Sequence, residues 1–410
     1  MAIIRPFRAL RPRPADAAHV AAVPYDVVTT DEARGLAADN PLSFLRVSRP
    51  ELELAPDTDP HGDEVYRRAV ENFDRLKARA LVVDDEPGLY LYRLRQGDHE
   101  QTGLAACFSL DEYDRDVIKK HERTRRDKED DRTRHMIALG AQTGPVFLTY
   151  RSVASVEEIV ARETVAAPLF DFEAGDGVRH TIWRVTTGAR DALAEAFAGI
   201  PSLYIADGHH RAASAARARQ EIGDRPSANR PLSGDADATT FLAVAFPDRQ
   251  VKILPYNRTV KELNGLDRGA FIGAVGERFI TTEGAAAPES PGEIAMYHEG
   301  KWTRLRPRTP PDRSDAIGSL DVSVLQEQLL EPVLGIADIR TDKRIEFVGG
   351  ARGSAELERL VDSGRAAAAF SLYPVTVAQL MAVADTGAIM PPKSTWFEPK
   401  LRDGLLIHLI

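Results

Sequence analysis

The chain has 410 residues, 43% hydrophobic and 28% charged, which supplies a sizeable core and excludes wholesale disorder. A formal net charge of -9 argues against a broad nucleic-acid binder, although a local basic patch stays open. With one cysteine, Cys107 in the apolar run GLAACFSL, no internal disulfide framework can form and a buried, inert thiol in a reducing compartment is expected.

The opening MAIIRPFRALRPRP lacks the long apolar run of a secretory signal. No stretch approaches the roughly 18 apolar residues of a membrane span, so a cytoplasmic protein is expected. AIIRPFRAL reads as a short strand broken by Pro6, and VAAVPYDVVT as a second extended piece bent at Pro24. TTDEARGLAADNP should be a helix capped at Thr30 or Asp31, followed by strand character in LSFLRVSRPE. Val65, Val70, Phe73 and Leu76 recur at helical spacing. GLYLYRLRQ and QTGLAACFSLDEY should pair as strands across a polar turn. The charged run RRDKEDDRTRHMI reads as a solvated helix face, followed by the strand PVFLTY. HTIWRVT predicts a strand and ARDALAEAFAG a helix with Gly199 at its C-cap. SLYIA then predicts a strand and RAASAARARQ a helix, with DGHHR at the junction. The stretch 225–239 reads as a polar loop. Beyond it come the strands TTFLAVAFP and VKILPYNRTV, the helix DRGAFIGAVGERFIT and a hairpin over Glu299-Gly300. LDVSVLQEQLLEPVLG predicts an amphipathic helix stopped near Pro332. A strand, helix, strand and helix close the C-terminal half, and the tail ends in a short apolar strand. Helices and strands mix without strict alternation, so the expected class is α+β with mixed sheets. The expected division is an N-terminal α+β region over residues 1–200 and a C-terminal one over 201–410, with the tail returning to a shared sheet.

Three stretches could carry chemistry. DGHHR, Asp207 to Arg211, sits where a strand meets a helix. Unpaired N–H groups and the positive helix end there suit an anion. Gly208 admits close backbone approach, Arg211 can fork onto a phosphate, and Asp207 can hold a metal or orient a histidine. The plainer reading makes Asp207 an N-cap and the histidines solvated; a zinc site is weaker, because adjacent histidines in an extended chain diverge. KKHERT places His121, Glu122 and Thr124 beside two lysines, suited to anion binding or acid–base work, or simply to a solvated face. The stretch 390–400, MPPKSTWFEPK, brings Lys393, Ser394, Thr395 and Lys400 into a rigid basic loop. It lacks the glycines of a Walker A loop, and it serves either a phosphate or a strap over the core. Asp26 in VPYDV and Glu51 in RPE are further candidate bases.

The ordered stretches RPFRALRP, VPYDVV, HERT, YIADGHHR, LDVSVLQEQLLEPVLGI and MPPKSTWFEPKLRDGL resemble the domain of unknown function 1015 family over nearly the full length. DGHHR is also similar, more distantly, to the strand-turn-helix signature of the ParB and sulfiredoxin superfamily, which includes archaeal free-serine kinases. That resemblance implies a phosphate site in which His210 and Arg211, with Gly208 and His209, hold a nucleotide, ATP or ADP with Mg2+. Asp207 would then bind the metal or orient the nucleophile, and Asp26, Glu51 or Glu122 would be the base. Sulfiredoxin chemistry needs a cysteine where this turn has His209. The leading expectation is a kinase-type phosphotransferase acting on free serine or a similar hydroxyl metabolite. The alternatives are a ParB-like nucleotide-hydrolysing switch with a protein partner, and a metal-dependent hydrolase built on Asp207, His209 and His210. The acceptor, the nucleotide and the oligomeric state are not legible.

Overall fold

The computed structural model describes residues 2–223 and 237–410, so most of the polar stretch 225–239 lies outside the described residues. Helices and strands intermix along the chain and the sheets mix parallel with antiparallel pairing, the α+β class expected. The chain divides into two compact units. The first comprises Met1–Lys120, Thr124–Val251 and Pro399–Ile410; the second comprises His121–Arg123 and Lys252–Glu398.

In the first unit a mixed sheet runs in the order Ile118–Lys119, Leu203–Asp207, Val146–Tyr150, Thr240–Pro247, His99–Ser109, Tyr90–Gln96, Arg179–Arg184, Phe170–Glu173. Thr240–Pro247 is buried at every position, which explains its unbroken apolar run rather than an alternating one. Its parallel neighbour Val146–Tyr150 pairs antiparallel with Leu203–Asp207, the strand that ends in the DGHHR turn. The helix His209–Gly223 packs on this sheet through Ala212, Ala215, Ala216 and Ala218. Small side chains let its backbone lie close. The helix Arg126–Leu139 packs against it, with Ser214 Oγ donating to the Glu129 carbonyl at 3.2 Å. Cys107 is buried in the sheet, and burial pushes its thiol up.

Several expected elements differ. LSFLRVSRPE is not a strand: Leu45–Ser48 is a helix and Pro50–Glu53 a 3-10 turn. A short apolar run has no period of its own, and here Phe44, Leu45 and Val47 all reach one core with Phe73 and Leu76. The charged run 125–135 is helical, but it is not a solvated face throughout: Thr133 and His135 are buried and the Arg132 side chain is only 15% exposed. VAAVPYDVVT forms no named strand, yet Ala22 bridges antiparallel to Asp403, which brings the tail alongside it.

The second unit is an antiparallel sheet in the order Phe279–Glu283, Lys301–Pro307, Ile294–His298, Ala368–Leu372, Tyr256–Val260, Ile345–Gly349. The hairpin turns at Glu299 and Gly300, with φ of 47° and 76°. The amphipathic stretch 321–330 is one helical run whose second half, Gln326–Leu330, widens to a π turn. Among the described residues no helix is long and apolar enough to cross a membrane.

Candidate functional site

The strand Leu203–Asp207 passes through Gly208 directly into the helix His209–Gly223. Gly208 has φ of 94°, a conformation that disfavours any side chain. A Cβ there would also meet Val146 Cα at 3.4 Å and the Arg211 guanidinium at 3.6 Å. The helix ladder begins at once, with Ala212 N–H donating to the Gly208 carbonyl at 3.0 Å. Asp207 Oδ1 accepts from the Gly208 N–H at 3.0 Å, and Oδ2 accepts from Lys400 Nζ at 3.1 Å. Burial opposes its charge, but Lys400 and Arg211 outweigh it and hold the carboxyl well below the usual range.

Arg211 is only 9% exposed. Its Nη1 donates to the Pro145 carbonyl, while Nη2 lies 3.7 Å from Asp26 Oδ1 and 4.0 Å from Asp207 Oδ2. Nε and Nη2 are buried and make no hydrogen bond among the described residues. Burial would strip the charge, yet Asp26, Asp207 and Asp403 raise the guanidinium further and keep it protonated. Arg211 opens into a cleft with Tyr25, Arg132, His135, Gly144 and Asp403. The Arg132 guanidinium stacks 4.2 Å above the Tyr25 ring and is bonded to Asp131 and to the Ser48 carbonyl. His135 Nε2 donates to the Val47 carbonyl at 2.8 Å, and burial, then Arg132, lowers its imidazole to about 4, so it is neutral at pH 7.

Asp403 completes this cleft. Its Oδ1 is buried without a hydrogen-bond partner among the described residues, and a Cβ on Gly144 would stand 2.4 Å from it. Burial pushes its carboxyl up to about 7, with Arg211 opposing and Asp26 adding to the rise. A buried carboxyl pushed up to about 7 beside a buried arginine has the character expected of an acid–base group.

Of the residues singled out in the sequence, Asp26, Asp207, Gly208, Arg211 and Lys400 converge here. Glu51 lies one layer away: it pairs with Arg49 at 2.9 Å, and Arg49 in turn donates to the Tyr25 carbonyl at 2.9 Å. His210 turns its Nε2 to accept the Arg125 N–H at 3.0 Å, which fixes the end of the HERT segment against the turn. His209 is buried. Thr124 belongs to the same unit, whereas His121 and Glu122 belong to the second. There the His121 carbonyl accepts the Met390 N–H at 2.8 Å, joining HERT to the segment of Lys393, Ser394 and Thr395. Ser394 Oγ is spent within its own turn on the Pro391 carbonyl at 2.6 Å. Asp207 already holds the Gly208 N–H on one oxygen and the Lys400 ammonium on the other. Among the described residues no group of three or more His, Cys, Asp or Glu is placed to hold a metal ion. Arg132, His135, Gly144 and Asp403 were not singled out. Arg132, His135 and Leu139 follow at i, i+3 and i+7, a helical face hidden in the charge-dense run.

No curated protein matches the chain. Among solved structures, a conserved hypothetical protein from Pyrococcus furiosus is 16% identical, with a TM-score of 0.36, covering 74% of this chain and 95% of that one. A free serine kinase variant in complex with ADP is 16% identical, with a TM-score of 0.37, covering 74% of this chain and 92% of that one. SbnI from Staphylococcus aureus, truncated at its C-terminus, is 13% identical, with a TM-score of 0.38, covering 74% of this chain and 87% of that one. A family model, by contrast, matches residues 4–323, and on that match the chain belongs to the DUF1015 family, proteins of unknown function.

Proposed function

We propose that the cleft of the first unit binds the phosphates of a nucleotide and that the protein transfers a phosphoryl group to a hydroxyl of a small metabolite. The observation that carries this reading is Arg211: nine-tenths buried, held protonated, and left with Nε and Nη2 unbonded beside a glycine turn at a helix N-terminus. A fork of two N–H groups matches two oxygens of one phosphate. Asp207 and Lys400 brace the turn. In the transfer, the acceptor oxygen forms a bond to phosphorus while the bridging P–O bond breaks, its electron pair leaving on the nucleotide. The hydroxyl proton passes to a carboxylate, and Asp403, pushed up to about 7, suits this better than Asp26, whose carboxylate pairs with Arg211 at 3.7 Å, or Glu51, which is paired with Arg49. The likeness of DGHHR to the free-serine kinase signature makes serine the first acceptor to test. The full chain is incubated with ATP or ADP, Mg2+ and a panel of hydroxyl metabolites led by serine, and phosphorylated product is read by phosphorus NMR. Phosphoserine, or another phosphorylated acceptor, is expected. The reading fails if no acceptor is phosphorylated and Arg211→Ala binds nucleotide as the parent protein does.

A further inference from the structure

The second unit buries a cation that no carboxylate among the described residues neutralises. Arg258 lies on the inner strand Tyr256–Val260, opposite Phe347 on one side and Phe370 on the other, and is 1% exposed. Its guanidinium sits 5.3 Å from the Phe347 ring centre. Nη1 donates to the Tyr256 carbonyl, and Nη2 has only a 3.5 Å contact with the Pro392 carbonyl, at the edge of hydrogen bonding. Among the described residues no carboxylate forms an ion pair with it. Burial lowers its pKa to about 9, with only Tyr256 opposing. The buried arginines of the first unit are treated differently: Arg132 has Asp131, Arg211 has Asp26 and Asp207, and Arg402 has Asp176. A buried charge without a partner is costly, and the cost is relieved when an anion joins it.

A second cation reaches the same strand end. Lys393 takes a left-handed φ of 58° and carries its ammonium to 5.5 Å from the Tyr256 ring centre. Trp396 meets that ring edge to face at 5.3 Å and lies on Gly349, where a Cβ would come within 2.7 Å of the indole. The stretch 391–396 therefore lays a lysine and an indole over the strand that carries Arg258, and its Pro392 carbonyl is the weakest of the guanidinium's contacts.

We propose that Arg258 and Lys393 form an oxyanion site in the second unit, in which a phosphate or carboxylate group replaces the Pro392 carbonyl at Arg258 Nη2 and is met from outside by the Lys393 ammonium. The rings of Tyr256 and Trp396 would flank the rest of the ligand. This site is separate from the Arg211 cleft and does not depend on it.

The test uses full-length protein carrying Arg211→Ala, so that the first cleft does not answer for the second. Inorganic phosphate is titrated by calorimetry in one arm and acetate in the other. Saturable binding in either arm is expected, and the arm that responds tells phosphate from carboxylate. Adding Lys393→Ala should weaken that binding about tenfold, as for loss of one charge-assisted hydrogen bond. Arg258→Met should abolish it; should that variant not fold, Lys393→Ala, at an exposed position, still decides. Absence of binding in both arms, or binding untouched by Lys393→Ala, overturns the proposal.

Discussion

Replacing Arg211 by Met probes the cleft most sharply, because it removes the fork while keeping much of the side-chain volume. Two structural facts set the magnitude. Nε and Nη2 have no hydrogen-bond partner among the described residues, so a bound phosphate would gain both as charge-assisted bonds, worth about 1.5–3 kcal/mol each. Taking about 3 kcal/mol as the lower end for the pair, ADP binding should weaken on the order of 100-fold. The variant also strands charge, yet the loss of stability should stay near the low end of the roughly 3–5 kcal/mol typical of a broken buried pair. Asp207 keeps Lys400, Asp26 is 40% exposed, and Asp403 is already poised to take a proton. Chemical denaturation first establishes that the variant is folded; calorimetric titration with ADP then reads affinity. Arg217→Ala is the control on the same helix, since Arg217 pairs with Glu129 and Asp130 instead. A folded Arg211→Met protein that binds ADP within about threefold of the parent, far inside the factor of ten per 1.4 kcal/mol expected of a lost ionic contact, refutes the reasoning.

Asp403→Asn should abolish turnover while raising stability at pH 8. The native carboxyl ionises near 7 and the unfolded one near 3.9, so the native state holds an extra proton in between and stability falls as pH rises from about 4 to 7. The asparagine variant loses that decline, a gain of up to about 4 kcal/mol at pH 8 and little at pH 4, measurable by urea unfolding at both. Lys400→Met should destabilise at neutral pH, and the deficit should fade only in strong acid, because the stability contributed by Asp207, held ionised by Lys400 and Arg211 when folded, is complete above its unfolded pKa and is lost as pH falls through its far lower folded one. Acid should also cost stability through His135 and His180, buried and lowered to about 4 and about 3. Both stay neutral while the unfolded imidazoles charge below about pH 6.5, so unfolding midpoints should drop with pH in that window and less so in His135→Gln. Gly144→Ala should cost more activity than its single methyl suggests, since the new Cβ would press on Asp403 at 2.4 Å; unchanged turnover would separate Asp403 from the chemistry.

The strand-turn-helix at DGHHR was readable because three local signals agree: an apolar run, a glycine at the junction and an alanine-rich helix. The sheet strands with unbroken apolar runs were readable for the same reason. What escaped was long-range. Asp403 reaches the cleft only because the tail bridges to Ala22, 381 positions earlier by the numbering of the bridge partners. Arg132 and His135 sit in a run so charged that composition favoured solvent, and only the packing of Arg126–Leu139 on His209–Gly223 turns one face inward. LSFLRVSRPE misled because its apolar residues fit a strand as well as a helix, and tertiary burial of Phe44, Leu45 and Val47 decides. Arg258 gave no local signal, since an arginine between Asn257 and Thr259 reads as a solvent-facing position.

The central claim is that phosphate oxygens sit on Arg211 at the end of Leu203–Asp207. A crystal structure of the full chain with ADP tests it directly. The account predicts a phosphate with oxygens within about 3 Å of Arg211 Nε and Nη2, facing Gly208. An ordered ADP whose phosphates lie elsewhere, with Arg211 still unbonded, would contradict it.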